Sequence, residues 1–418
     1  METQDFHRQA AHTLQTHYAE SETPPEGWQG VLMWHWEQAG EYSEAIRVAL
    51  ARAQHHTGNL EFPEARRWID HGLKLLERIS GSERLKHEMQ TYALTVAVLE
   101  FEGKFREALG YAQLILRLAE TEGNIEAQGR GYLTLGRVHR ELGQLTFAET
   151  ELLHALQMAE RHQMHELEWE ARFHLAKVHQ LQGRHLDAFQ QLDLAHRRVT
   201  TVSDGESRLA RVCTGIGDIY RVLGSGEEAL QFYHRALKGE IGTENRLGQA
   251  ILYEKLALSH MELDELFEAI ECINEALQIR ERLDDNLGKA RSHSIMGTIQ
   301  HRLKNYHLAQ EHFERARSLE AHLQNRRGLT IALTNLGDVA RSTGNTDQAR
   351  LYYHEALKLT REIGDRVGMA RVYERIGDAF HDTGDRELAQ SHWQEALHIR
   401  DDMGHYDEAQ SLRERLAT

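Results

Sequence analysis

Between Gly136 and Ala396 the small and apolar positions of the chain recur every 40 or 41 residues. A turn residue stands at Gly143, Gly183, Gly224, Asp264, Lys304, Gly344 and Gly384. Five residues after each comes an alanine, at Ala148, Ala188, Ala229, Ala269, Ala309, Ala349 and Ala389. Twelve after each comes another, at Ala155, Ala195, Ala236, Ala276, Ala316, Ala356 and Ala396. Seven before each is a small residue that follows Leu, Ile or Met: Gly136, Ala176, Gly217, Ala257, Gly297, Gly337 and Gly377. No local requirement makes seven segments agree at four places. Stacking does, because every unit must offer its neighbour the same small-and-large surface.

One unit, Asn325–Asp365, shows what is repeated. Ile331, Leu333, Leu336, Val339 and Ala340 have helical spacing rather than alternation. Thr343-Gly344-Asn345 breaks the run, and Ala349, Tyr352, Tyr353, Ala356, Leu357 and Leu359 carry a second helix. Two helices joined by so short a turn are antiparallel neighbours. Gly337 and Ala349 are small so that the backbones approach closely, while Tyr353 fills the space between them.

This pattern resembles the tetratricopeptide repeat. The family's aromatic, Leu-Gly and Tyr of the first helix read here as Tyr132, Leu135-Gly136 and His139, or as Tyr373, Ile376-Gly377 and Phe380. Its Ala, bulky residue and Ala of the second helix read as Ala229, Tyr233 and Ala236, or as Ala389, Trp393 and Ala396. Two features depart from the family: its proline near the unit's end is absent, and the unit is about six residues longer than the common ~34. Gly-Asp, Asp-Asn or Glu-Asn end the helices instead. The longer form is similar to the repeats of spindle-orientation scaffolds, kinesin light chains and bacterial signalling proteins. The resemblance implies an all-α, right-handed superhelical solenoid of about ten helix pairs.

The N-terminal segment has a narrower likeness. Asp5–Glu20 reads as a helix, Ser21-Glu22-Thr23-Pro24-Pro25-Glu26-Gly27 as a polar break, and Trp28–Gly40, Glu41–His56 and the run from Glu61 as further helices, with Pro63 in a first turn. Leu32 to Ile46, containing His35, Glu37-Gln38-Ala39-Gly40, Tyr42 and Ala45, resembles the junction where bacterial STAND signalling NTPases pass into a tetratricopeptide arm. Phe6-His7-Arg8-Gln9-Ala10-Ala11 resembles the helix leading back to their winged-helix module. No G-x-x-x-x-G-K-[ST] phosphate loop occurs; Gly103-Lys104-Phe105 and Gly288-Lys289-Ala290 lack the upstream glycine and the hydroxyl residue. The chain then reads as the arm without the motor. Residues 1–80 form this N-terminal segment, 81–404 the regular array with first helices beginning near 83, 126, 165, 206, 245, 286, 326 and 366, and 405–418 a capping helix with Tyr406, Ala409, Leu412 and Leu416 inward. Thr201–Ser207 is the most polar internal junction.

Composition narrows the class. The 418 residues include only 3 prolines, all in the first sixth, which suits an almost wholly helical chain. Cys213 and Cys272 read as buried apolar thiols in a reducing compartment. No signal peptide or bilayer-length apolar run is present, so a cytoplasmic chain is expected. The net charge of −16 argues against nucleic acid as a partner.

Candidate binding chemistry lies on the first helices, which line the concave groove in the family that the repeats resemble. Their groove positions hold Arg130, Arg137, Arg140, Lys177, Arg211, Arg221, Lys255, Arg291, Arg341, Arg371 and Arg375 against Glu170, Asp218, Glu254, Asp338, Glu374 and Asp378. A basic groove on an acidic chain would steer an acidic partner, and Arg suits carboxylate forks. Arg130, Arg211, Arg291 and Arg371 take the same position in alternate units. Asn335 matches the groove asparagines that hold peptide backbone in similar proteins. The bland alternative is that Asp218/Arg221 and Asp338/Arg341, three apart on one helix, satisfy each other. Among the 28 histidines none lie four apart, so metal ligation is not expected. His139, His179 and His260 take the family's tyrosine position as packing residues. No catalytic constellation, cofactor site or metal site is legible, and an enzyme is not expected. The expected role is to bind a protein or acidic peptide, as the sensing arm of a bacterial signalling regulator with a fused or separate NTPase module. A small-molecule sensor for sugars or nucleotides and a constitutive assembly scaffold are the alternatives.

Overall fold

A computed structural model of the chain describes residues 2–18, 25, 27–58, 61–199, 205–403 and 406–417. Among them are 21 α-helices and no strand. The chain divides into two compact units, Met1–Gly205 and Glu206–Thr418. The first holds α1 (Glu2–Tyr18), α2 (Trp28–Ala39), α3 (Tyr42–Gly58), α4 (Phe62–Leu76), α5 (Gly81–Phe101), α6 (Phe105–Thr121), α7 (Ile125–Glu141), α8 (Leu145–Arg161), α9 (His165–Leu181) and α10 (His185–Val199). The second holds α11 (Glu206–Val222), α12 (Gly226–Gly242), α13 (Arg246–Glu262), α14 (Leu266–Arg282), α15 (Asn286–Arg302) and α16 (Tyr306–His322). It continues through α17 (Arg326–Ser342), α18 (Thr346–Ile363), α19 (Arg366–Asp382), α20 (Arg386–Met403) and α21 (Tyr406–Ala417).

Helices of 17 residues joined by three-residue turns produce the forty-residue period. From α11 to α20 each turn closes by the same hydrogen bonds. After α13, Glu265 N–H reaches His260 O at 2.8 Å and Asp264 N–H reaches Met261 O at 3.2 Å, a Schellman closure around a left-handed residue. Glycine fills that place at Gly224, Gly344 and Gly384, but Asp264 (φ 62°) and Lys304 (φ 61°) are forced into it. The turn between units is left-handed too, at Glu244, Asp284, Gln324 and Gly364. Asn245, Asp285, Asn325 and Asp365 then cap the next first helix through the amides of Gly248, Gly288, Gly328 and Gly368. The Gly-Asp, Asp-Asn and Glu-Asn endings are this left-handed residue followed by a cap, or a cap followed by the first helical residue.

All fourteen recurring alanines are fully buried. A Cβ added at Gly337 would stand 2.3 Å from Tyr353 Cε1, at Gly297 2.6 Å from Phe313 Cε1, and at Gly377 2.5 Å from Trp393 Cδ1. The ring of the second helix therefore rests on the bare backbone of the first, and that contact sets the spacing of each pair. In the first unit Leu32, Met33, Trp36, Ala45 and Ile46 of the Leu32–Ile46 junction form one core with Ala11, and Ala39 is buried too. There α3 packs most closely on α4, and α1 on α2. Ala409 and Leu412 of α21 are buried and Leu416 is partly buried, as a cap requires; the side chain of Tyr406 and most of the Thr201–Ser207 junction lie outside the described residues. Cys213 is buried and Cys272 half-buried, both as thiols. No described helix is long and apolar enough to cross a membrane.

His293 of α15 and His312 of α16 share one contact, Nδ1 to Nδ1 at 3.1 Å. Burial first, then His312, Arg315 and Lys289, lowers the His293 pKa to about 4, and burial lowers that of His312 as well.

Two sets of measurements test this packing. Gly337→Ala and Ala349→Leu each lose roughly 1–3 kcal/mol in urea unfolding through overpacking, whereas Lys304→Gly gains about 1 kcal/mol by relieving the left-handed backbone. Because the folded imidazole resists protonation, its stability contribution is complete above the unfolded pKa near 6.5 and is lost as pH falls toward 4. The acid limb of a pH–melting profile is then shallower for His293→Gln than for the wild type.

Candidate functional site

The first helices place their polar positions in rows. Arg130 in the first unit, and Arg211, Arg291 and Arg371 in the second, are all exposed at the same helical position. Lys177 lies over the Phe173 ring at 4.7 Å. Most of the other expected cations are taken by carboxylates of the neighbouring repeat. A residue on one first helix meets its partner 37 residues on: Glu100 with Arg137, Asp218 with Lys255 at 2.6 Å, Asp338 with Arg375 at 3.4 Å, and Asp378 with Arg415 at 2.8 Å. A second row is spaced by 41, with Arg221 on Glu262 at 2.6 Å and Arg341 on Asp382 at 3.1 Å. The within-helix pairings Asp218/Arg221 and Asp338/Arg341 are thus replaced by pairings between repeats. The physical reason is that stacked first helices bring these positions together, while each aspartate is turned toward the second helix.

There the aspartate accepts a bond from the ring that rests on its neighbouring glycine. Tyr233 donates to Asp218 at 2.7 Å, Tyr353 to Asp338 at 2.7 Å and Trp393 Nε1 to Asp378 at 3.1 Å. Burial and the adjacent carboxylate push both tyrosine pKa values up. Where the residue after glycine is Thr298, the ring is Phe313, which has no donor. This matching of ring and aspartate is visible in the sequence as a covariation fifteen residues apart.

The far end of the first-helix face is built from second-helix residues that the repeat pattern alone does not single out. Glu240, Arg280, Glu320 and Thr360 occupy one buried position in successive units. The cap beside each matches it: Asn245 donates to Glu240 at 2.7 Å, and Asp285 pairs with Arg280. Burial raises the pKa values of Glu240 and Glu320, opposed by their caps and by Arg211 and Arg291 respectively. Glycine at the third helical residue leaves room for that side chain, since a Cβ at Gly288 would stand 1.6 Å from the Arg280 guanidinium and displace it. The recurring [Asn/Asp]-x-x-Gly at 245–248, 285–288, 325–328 and 365–368 is the sequence signal for this end.

Between α17 and α19 the face opens into a pocket of about 80 Å³. Arg327, Thr334, Asn335, Asp365 and Arg371 line it, which brings the expected Asn335 and Arg371 together. Asn335 is half-buried, and no protein group hydrogen-bonds its side chain among the described residues. Arg371 makes no ion pair among the described residues, whereas Arg130 is near Glu126 at 3.3 Å and Arg291 near Glu254 at 3.7 Å. Arg140 pairs with Glu141 and contacts His174 Nδ1 at 2.9 Å. A larger depression in the first unit, about 470 Å³, is bordered by Arg8, His12, Trp36, Glu41 and Arg47. Its cations are already met, Arg8 by Glu41 at 2.8 Å and Arg47 by Glu44. Among the described residues no three metal-ligating side chains converge.

Residues 248–319 and 329–402 match the family model described as tetratricopeptide repeat. No curated protein sequence matches the chain. Similar solved structures include the apo form of the quorum sensor NprR from B. thuringiensis, 15% identical, with a TM-score of 0.61 over 86% of this chain and 98% of that one. A Rap protein complexed with Competence and Sporulation Factor is 14% identical, with a TM-score of 0.53 over 90% and 97%. A STAND signal-transduction ATPase with a tetratricopeptide repeat sensor, from Pyrococcus horikoshii, is 16% identical with a TM-score of 0.54; it is matched over all of this chain, which spans 55% of that one. At such identities the likeness is one of fold. With the recurring small residues and helix pairs, these matches identify residues 248–319 and 329–402 as tetratricopeptide repeats, and the solved structures share the fold.

Proposed function

We propose that this protein is a non-enzymatic receptor for a protein or acidic peptide, held on the first-helix face of residues 206–418, and that it serves as the sensing arm of a signalling regulator. The observation that carries this reading is the placement of Arg371 and Asn335 on one open pocket while neighbouring cations are neutralised within the protein. An arginine without a carboxylate beside an amide without a partner forms a recognition pair for an extended acidic chain. Its binding would shift a fused or separate NTPase module only through different affinity for the module's two states. NprR is described as a quorum sensor, the Rap protein as complexed with Competence and Sporulation Factor, and the STAND ATPase repeats as a sensor. The depression at Arg8 and Trp36 gives the small-molecule alternative less support, because its arginines already face carboxylates.

The test is selection from a random peptide pool. Reversing Arg211 or Arg291 would also disturb the buried Glu240 and Glu320 beside them, so Arg371→Glu is the cleaner variant. Peptides retained by the wild-type protein are enriched in Asp and Glu, are released as salt rises to about 0.5 M, and are retained at least tenfold less by Arg371→Glu. A retained set of neutral composition, indifferent to salt and to Arg371→Glu, contradicts the proposal.

A further inference from the structure

One set of positions returns every 80 residues along the first-helix face, and one copy lacks a group that the other has. Between α13 and α15 the carboxylate of Glu254 is buried. It accepts from Ser292 Oγ at 2.6 Å, with Arg280 at 3.0 Å and Arg291 at 3.7 Å. Between α17 and α19 the same positions hold Thr334 for Glu254, Val372 for Ser292, Thr360 for Arg280 and Arg371 for Arg291. The carboxylate is missing while the arginine remains. Thr334 does not substitute, because its hydroxyl donates to Thr330 O at 2.8 Å.

Arg371 lacks a second compensation as well. Arg211 and Arg291 each stand near a buried glutamate of their own second helix, Glu240 and Glu320. The matching position in α20 is Arg400, which bonds Glu374 at 3.0 Å. Asp365, the acid on the pocket wall, holds the Gly368 amide at 2.9 Å and lies 3.7 Å from Arg327. The pocket, about 80 Å³, is small beside sites for whole drug-sized ligands, which run from ~300 Å³ upward. It suits one side-chain group.

We propose that this pocket receives a single side-chain carboxylate of the bound peptide, which meets Arg371 as Glu254 meets Arg291. This rests on the first-helix-face reading above and specifies its anchoring subsite. The protein thereby leaves one place in its own repeating ion-pair pattern for a partner to complete.

The test titrates the full chain with N-acetyl-glutamyl-methylamide, its glutaminyl counterpart and inorganic phosphate, reading arginine Nε–H signals by NMR. The glutamyl compound moves the Arg371 signal saturably and the glutaminyl compound does not; Arg371→Gln removes the response. Thr334→Glu places a carboxylate where Glu254 stands, so it displaces the Arg371 signal without ligand and weakens the titration at least tenfold. It also raises the melting temperature in the wild-type background but not in Arg371→Gln. The proposal is overturned if the glutamyl compound leaves Arg371 unmoved, if Thr334→Glu titrates like the wild type, or if its thermal effect is the same without Arg371. A stronger response to phosphate overturns the choice of carboxylate. These readings concern the pocket alone, so retention of acidic peptides could survive their failure and the two ideas fall separately.

Discussion

The contact of a second-helix ring or branched chain with a bare first-helix backbone governs this molecule. Tyr353 on Gly337, Phe313 on Gly297 and Trp393 on Gly377 leave no room for even a methyl group. Interiors packed to that density respond to small changes in volume, so the spacing within a pair is fixed by a few atoms. Fixed pairs and three-residue turns then force equal steps from one pair to the next. Residues 37, 40 or 41 apart in sequence consequently become neighbours in space within each unit.

That register turns the charged face into rows. Asp218 reaches Lys255 and Asp338 reaches Arg375 because they occupy equivalent places on successive first helices. Partly exposed pairs of this kind contribute at most about 1 kcal/mol each, so their larger effect is on which partner the face can still accept. Most cations are occupied. What the rows leave unmatched on the face lies around Arg371, Asn335 and the open space between α17 and α19, and it is there that we propose recognition occurs.

The fold was readable in the sequence because stacking imposes identical volumes at fixed intervals. Every recurring alanine is buried, and the first helices begin within two residues of the places the spacing indicates. The site was only half readable. Helical spacing placed Arg291 and Arg371 at one position of their first helices, where both are exposed, but it treated each helix alone. It therefore paired Asp338 with Arg341 instead of with Arg375 and Tyr353, which arrive from other helices. The buried Glu240, Arg280 and Glu320 escaped notice because they interrupt an otherwise apolar core position. Their caps, Asn245, Asp285 and Asn325, carried the signal, since each changes to suit the charge it touches. Left-handed Asp264 and Lys304 were placed correctly as turns by position, although their residue types alone do not ask for that conformation.

The most direct examination of this account is a crystal structure of the full chain with a peptide it retains. One peptide carboxylate should lie within hydrogen-bonding distance of Arg371, between α17 and α19, at the place that Glu254 holds between α13 and α15. A peptide seated on the second helices, or one that leaves the Arg371 guanidinium in solvent, would contradict it.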